Sequence, residues 1–158
     1  MNNSVLSRLI RINHQWHRVC RSELIPYNYV GVMHLIVIYI DHNPGSCQED
    51  IASYYSLDKT GVARDARRLE DMGHIRREIM PESRRQYRLY LTEKGEDMIE
   101  VLKKIYNDFQ NKLSASMTSE DWRTLNNLLG YIDEYTLSKK RQEKEERKPS
   151  SQSNNVSL

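Results

Sequence analysis

The stretch LDKTGVARDARRLEDMG, residues 57–73, holds the side chains best suited to gripping a polyanion. Lys59, Arg64, Arg67 and Arg68 carry fixed positive charge, and Thr60 adds a hydroxyl that donates or accepts. With Lys59 at zero and an advance of 100° per residue, Thr60, Arg64, Arg67 and Arg68 fall at about 80–180°, with Gly61 beside them at about 200°. Val62, Ala66 and Leu69 gather at about 280–340°, a thin apolar seam. A solvated face explains charge on the outer side of most helices. This face, however, is net basic rather than mixed. From Lys59 to Tyr90 nine Lys or Arg stand against five Asp or Glu, although the whole chain carries only +2. A local basic stripe matters more for polyanion binding than the total. A helix offering Arg, Lys and Thr suits the base edges and phosphates of a major groove.

Other reactive residues point less clearly. His14 and His17 share a helix face at i, i+3, but no matching Cys/His pair lies at ligand spacing, so no metal and no cofactor is expected. Cys20 lies on the apolar side of the first helix and reads as a small buried hydrophobe, with an oxidant-sensing role open. Cys47, at a helix start, is a second such candidate. Ten tyrosines and two tryptophans against one phenylalanine is an unusual balance. Trp16, Tyr27, Tyr29, Tyr54 and Tyr55 can line a cleft for a small aromatic ligand, or serve ordinary packing. A Gly-rich phosphate loop, a nucleophile elbow and a clustered carboxylate pair are all missing, so an enzyme is not expected.

The elements that would position these residues follow from periodicity. Leu6, Leu9, Ile10, Trp16 and Cys20 recur at helical spacing and predict an amphipathic helix from residue 4 to about 22, broken by Pro26. YVGVMHLIVIYI (29–40) is apolar all round and fits a buried helix or a strand; DHNPGS (41–46) is a turn. Ser46 and Glu49 have capping-box spacing for a helix of two turns ending near Tyr55 or Ser56. Asp58 is an N-cap and Gly73 a C-terminal stop for the next helix, which makes a helix-turn-helix. IRREI (75–79) and QYRLYL (86–91) alternate around MPESRR, a β-hairpin with a basic tip. A hairpin beside a groove-reading helix can place an arginine in the adjacent minor groove. Thr92 caps a long helix carrying Ile99, Leu102, Tyr106, Phe109 and Leu113. Thr118 and Asp121 open another carrying Trp122, Leu125, Leu128, Leu129, Ile132 and Tyr135. That helix is expected to fray past about Lys140, with the last ten residues disordered. Nothing resembles a signal peptide or a bilayer-spanning run, and two cysteines make no disulfide framework, so the chain reads as soluble, cytoplasmic and not membrane-bound.

The run DKTGVARDARRLEDMGHIRREIMPESRRQYRLYLTEKG resembles the MarR family of bacterial and archaeal transcription regulators. The matching parts are the capped recognition helix, RRLEDMGHIRR leading into the wing, PESRR at its tip and LTEKG at the next helix start. The specific match spans residues 46–100, and the layout fits from 4 to 140. The resemblance implies a mainly α (α+β) winged helix-turn-helix with N- and C-terminal dimerisation helices and a two-stranded wing. It implies a homodimer on a pseudo-palindromic double-stranded DNA operator, with release by a small, often aromatic effector bound between the dimerisation and DNA-binding parts. Carried onto this sequence, the recognition-helix contacts are Lys59, Thr60, Gly61, Arg64, Arg67 and Arg68; the wing contacts are Ser83, Arg84, Arg85 and Gln86; Ser46 and Gln48 meet the DNA backbone.

Three departures stand out. Ser83 replaces an aspartate common in the family, Gly61 a small polar side chain, and Asp65 an apolar residue; Asp65 is expected to pair with Arg64 or Arg68 on the helix surface. The expected organisation is an N-terminal dimerisation helix (1–28), a winged helix-turn-helix (29–92), C-terminal dimerisation helices (93–140) and a charged tail (141–158). The function expected is a ligand-released, sequence-specific repressor. The alternative is a winged-helix protein-interaction or redox-sensing module that has lost DNA readout.

Overall fold

The structure is a computed structural model describing residues 4–80 and 83–146; of residues 80, 83–86 and 139–146 it describes the backbone alone. The expected disorder of the last ten residues lies outside the described residues. Element order is α1 (Val5–Leu24), a 3-10 turn (Ile25–Tyr27), α2 (Met33–His42), α3 (Gln48–Tyr55), α4 (Lys59–Asp71), β1 (Ile75–Met80), β2 (Ser83–Leu91), α5 (Glu93–Ser114) and α6 (Ser119–Glu146). By its contacts the chain divides into two units, Met1–Gln110 and Asn111–Leu158.

In the first unit one apolar core joins seven elements. Cys20 and Leu24 of α1 meet Met33, Ile36, Val37 and Ile40 of α2, Ile51 of α3, and Val62, Ala66 and Leu69 of α4. Ile75, Leu89 and Met98 to Ile105 close it from β1, β2 and α5. Burying each large side chain is worth about 1.5–3 kcal/mol against solvent exposure. That collective term makes a marginal two-stranded hairpin permanent here. The 29–40 run is a helix from Met33 on; its all-round apolarity reflects burial between α1, α4 and the hairpin rather than a strand.

Local chemistry sets the boundaries. Asp58 caps α4 by accepting from the Gly61 amide at 2.7 Å, and Gly73 takes φ +74° just past its end. Ser56, at φ 56°, makes the turn between α3 and α4. The α3 cap falls one residue later than expected: the Cys47 amide donates to Asp50 Oδ2 at 3.0 Å, in place of a Ser46–Glu49 box. Ser46 is committed elsewhere, because it pairs with Leu89 in an isolated bridge, with Leu89 N–H donating to its carbonyl at 2.9 Å.

The hairpin is antiparallel, pairing Ile75 with Leu91, Arg77 with Leu89 and Ile79 with Tyr87, with an irregularity at Ile79/Met80; β2 begins at Ser83, so the turn is shorter than MPESRR. Thr92 opens α5 and donates to the Gly73 carbonyl at 2.6 Å. Trp16 packs on Tyr106 and Phe109, ring centroids 4.5 and 4.8 Å away, tying α1 to α5.

In the second unit Thr118 and Asp121 form the expected box, with bonds of 3.0 and 3.1 Å. The α6 helix does not fray at Lys140 but runs to Glu146. Glu, Lys, Arg and Gln, which make up residues 139–146, are good helix formers.

Candidate nucleic-acid interface

Helix α4 separates its faces cleanly. Val62, Asp65, Ala66 and Leu69 are fully buried, while Lys59, Thr60, Arg64, Arg67 and Arg68 are exposed and Gly61 is half-buried. Thr60, Arg64, Arg67 and Arg68 share the arc read from the sequence, and Lys59 is exposed beside it at the first turn. A Cβ at Gly61 would meet nothing nearer than Asp58 Oδ2 at 3.5 Å, so packing within the chain does not demand glycine there. Gln48 and Glu49 of α3 join Lys59, Thr60 and Ala63 around a groove of about 310 Å³. Gln48 is half-buried at the start of α3. The Ser46 Oγ is buried where Ser46 bridges Leu89 of β2.

Asp65 is the departure that changes meaning in three dimensions. It does pair with arginine, but from the core rather than the helix surface. Its side chain is 0 % exposed; Oδ1 accepts from Arg64 Nε at 3.0 Å and lies 4.0 Å from Arg68 Nη1. This pairing holds the Arg64 guanidinium above its already high pKa, first through the hydrogen bond and then through charge. Oδ2 accepts from the Val32 amide at 3.0 Å, the residue that opens α2.

The wing is anchored at its base. Arg77 forms an ion pair with Glu70 at 2.9 Å, Arg76 pairs with Glu78 and lies 4.4 Å over the Tyr90 ring, and Arg88 is exposed. The expected contacts Ser83, Arg84, Arg85 and Gln86 have their backbone in β2; their side chains lie outside the described residues.

The five residues expected to line one cleft make different contacts. Trp16 packs on α5, Tyr27 is exposed, and Tyr54 and Tyr55 cluster with Tyr39 at 5.2 and 6.1 Å between centroids. Tyr29 alone of the five borders a cavity of about 520 Å³, together with His17, Cys20, Arg21, Gly31, Val32 and His34. Aromatic composition had no way to show this. The cavity is built where α1, the 3-10 turn and α2 converge, and His34, set in the middle of an apolar run, was its one visible sign.

Tyr29 also donates to or accepts from His74 Nδ1 at 2.9 Å, which ties this wall to the start of β1. Burial, and then His17 nearby, pushes His34 down to about 4; its Nε2 is buried without a partner among the described residues. Burial raises the Cys20 thiol to about 11. Burial and the Asp50 hydrogen bond do the same for Cys47. Such thiols hold little thiolate at neutral pH, which weighs against oxidant sensing. His14 and His17 are exposed, and among the described residues no group of three His, Cys, Asp or Glu is placed to hold a metal. No described helix is long and apolar enough to cross a membrane.

A capped helix with a basic outer face, a short helix packed across it and an adjoining hairpin define a winged helix-turn-helix DNA-binding protein. Comparison with known proteins agrees. Residues 28–95 match the family model described as a winged helix DNA-binding domain. The chain is similar to the HTH-type transcriptional regulator BilQ of Clostridium symbiosum, 30% identical over 110 residues, covering 70% of this chain and 76% of the relative. It is also similar to BilQ of Clostridioides difficile, 26% identical over 106 residues, covering 67% and 72%. A crystal structure of MarR superimposes with a TM-score of 0.83 at 26% identity, covering 89% of this chain and 96% of that one. A MarR transcriptional regulator from Methanosarcina mazei gives 0.78 at 25% identity, covering 85% and 96%. The chain belongs to the MarR family, whose members are transcription regulators rather than enzymes. It is a MarR-type regulator with a winged-helix DNA-binding domain.

Proposed function

We propose that this protein is a cytoplasmic, homodimeric repressor that binds a pseudo-palindromic operator and leaves it when a small molecule occupies the cavity beside α2. The observation that carries this reading is the basic outer face of α4, backed by a fully buried seam. Thr60 and Arg64 lie nearest the bases, Lys59, Arg67 and Arg68 near phosphates, and Gly61 lets the backbone approach closely. Gln48 supports the adjacent backbone. Ser83, Arg84, Arg85 and Gln86 reach the flanking minor groove from the wing, with Arg85 inserted.

Two recognition helices must sit one helical turn apart, about 34 Å, to enter successive major grooves. In this reading residues 1–28 and 93–140 serve dimerisation and 29–92 DNA binding. The effector reading rests on the cavity's lining. Arg21, His17 and the unpartnered His34 Nε2 suit an acidic group, while Leu24, Ile25 and Val30 suit an apolar body. An effector shifts the equilibrium by its differential affinity for the two states and no more.

The test is binding to duplex DNA across salt concentrations. Several phosphate contacts predict a loss of about 10³-fold or more in affinity between 50 and 200 mM salt. A flat salt response, with no protected site upstream of its own gene, would sink the reading in favour of a protein-interaction module.

A further inference from the structure

We propose that Asp65 is a specificity-determining positioning residue: it fixes the orientation in which Arg64 meets a base pair. The proposal rests on the reading above that Arg64 faces the bases.

Neighbours in sequence on a helix point about 100° apart, so Arg64 and Asp65 touch only because the arginine stem folds back toward the core. The bond uses Nε, at 3.0 Å from Oδ1. The two terminal nitrogens, the fork that pairs with guanine O6 and N7, are not spent on it. Arg64 remains 61% exposed while its partner is 0% exposed.

The carboxylate is itself immobilised. Its second oxygen accepts from the Val32 amide at 3.0 Å, and the backbone of Gly31 lies so close that a Cβ there would stand 2.2 Å from Oδ2. Gly31 takes φ +58°, a conformation that glycine adopts without penalty, so the chain yields the room the carboxylate needs. A carboxylate held on both oxygens in the core cannot follow an exposed arginine through its rotamers. The arginine's freedom is therefore restricted before DNA arrives, which lowers the ordering cost of a bidentate base contact.

Capping α2 alone would explain the Val32 bond but not the Arg64 bond. The two roles separate in their readout. A cap acts on stability and on all sequences alike, whereas a buttress acts on discrimination at one base pair. Asp65→Asn keeps a carbonyl for Val32 and removes the charge that holds Arg64.

The experiment compares the wild type, Arg64→Ala, Asp65→Asn and the double variant. Each is measured on the duplex that the wild type selects from a random pool, on its single base-pair variants and on unrelated DNA at fixed salt. Arg64→Ala is expected to flatten discrimination at one base pair of each half-site, by about tenfold or more for a bidentate contact. Asp65→Asn should flatten the same position to within about threefold of Arg64→Ala, leave binding to unrelated DNA equal or tighter, and add nothing in the double variant. If Arg64→Ala relaxes a position and Asp65→Asn does not, or weakens all sequences equally, the Asp65 proposal is overturned. If Arg64→Ala relaxes no position, the recognition-helix reading falls and the proposal with it. Should Asp65→Asn not fold, the wild-type arginine side-chain NMR spectrum decides. The Arg64 Nε–H, assigned by its loss in Arg64→Ala, should exchange at least about tenfold more slowly than that of Arg67; equal rates overturn the proposal.

Discussion

His34 shows how a single residue makes the core sensitive to acid. It is 3% exposed and burial holds it at about 4, below the ordinary 6.5. The folded state therefore keeps it neutral while the unfolded chain takes up a proton. Its contribution is complete above about pH 6.5 and is lost as pH falls toward 4, at most about 3 kcal/mol. His74, also pushed down by burial and then by Lys94, acts in the same direction. His34→Leu is expected to flatten the fall of stability between pH 6.5 and 4, followed by urea denaturation at several pH values. An unchanged slope would refute the assignment. Gly95 gives a second residue-scale prediction. Alanine would gain about 1 kcal/mol of helix propensity, but its Cβ would stand 2.1 Å from the His74 carbonyl oxygen, and backbone on both sides must move. Overlap wins: Gly95→Ala should lose about 1–3 kcal/mol, lowering the melting midpoint measured by circular dichroism. Residues of this kind were the least legible. Asp65 sits at about 240° on the wheel, beside the apolar seam, and pattern alone reads such a flank as surface. Its burial depends on an amide 33 residues earlier, a contact that no local rule contains.

Elements were far more legible, because their ends are written in local chemistry. Asp58, Gly73, Thr92 and the Thr118–Asp121 pair all act as their types and spacing predict. Where reading slipped, a tertiary contact had taken over a local signal. Ser46 was drawn into a bridge with β2, leaving the cap to Cys47 and Asp50. The helix-or-strand ambiguity of 29–40 was real, since a segment buried on all sides has no period to read. For α4 the consequence is a prediction about charge. Lys59 is exposed at its first turn, against the groove shared with Gln48. Lys59→Ala should weaken binding to operator and unrelated DNA by similar factors and reduce the slope of log affinity against log salt by about 1. A variant that lost discrimination between sequences instead would place Lys59 at a base edge.

At the scale of the whole molecule, apolar surface is left over on both terminal helices. Val5, Leu6, Ile10 and Ile12 of α1 are 49–70% exposed, and Leu128, Leu129, Ile132 and Tyr135 of α6 are 40–64% exposed. Leu125, Leu128, Ile132 and Tyr135 recur at three and four residues, so they form one stripe rather than scattered exceptions. The stripe was legible in the sequence; its exposure within one chain was not, because periodicity says that a face will be covered without saying by what. A solvated helix gains nothing from such a stripe, whereas a second copy of the chain would bury it against its own counterpart. In the proposed function, pairing of two chains would also supply the spacing that operator binding requires. The double variant Leu128→Asp with Ile132→Asp places charge on residues exposed within the single chain, so the first unit should keep its fold and its acid-sensitive core. Sedimentation should then shift from dimer to monomer, and operator affinity should fall toward that of an isolated half-site. A variant that stayed dimeric with operator affinity intact would move the subunit interface away from α6.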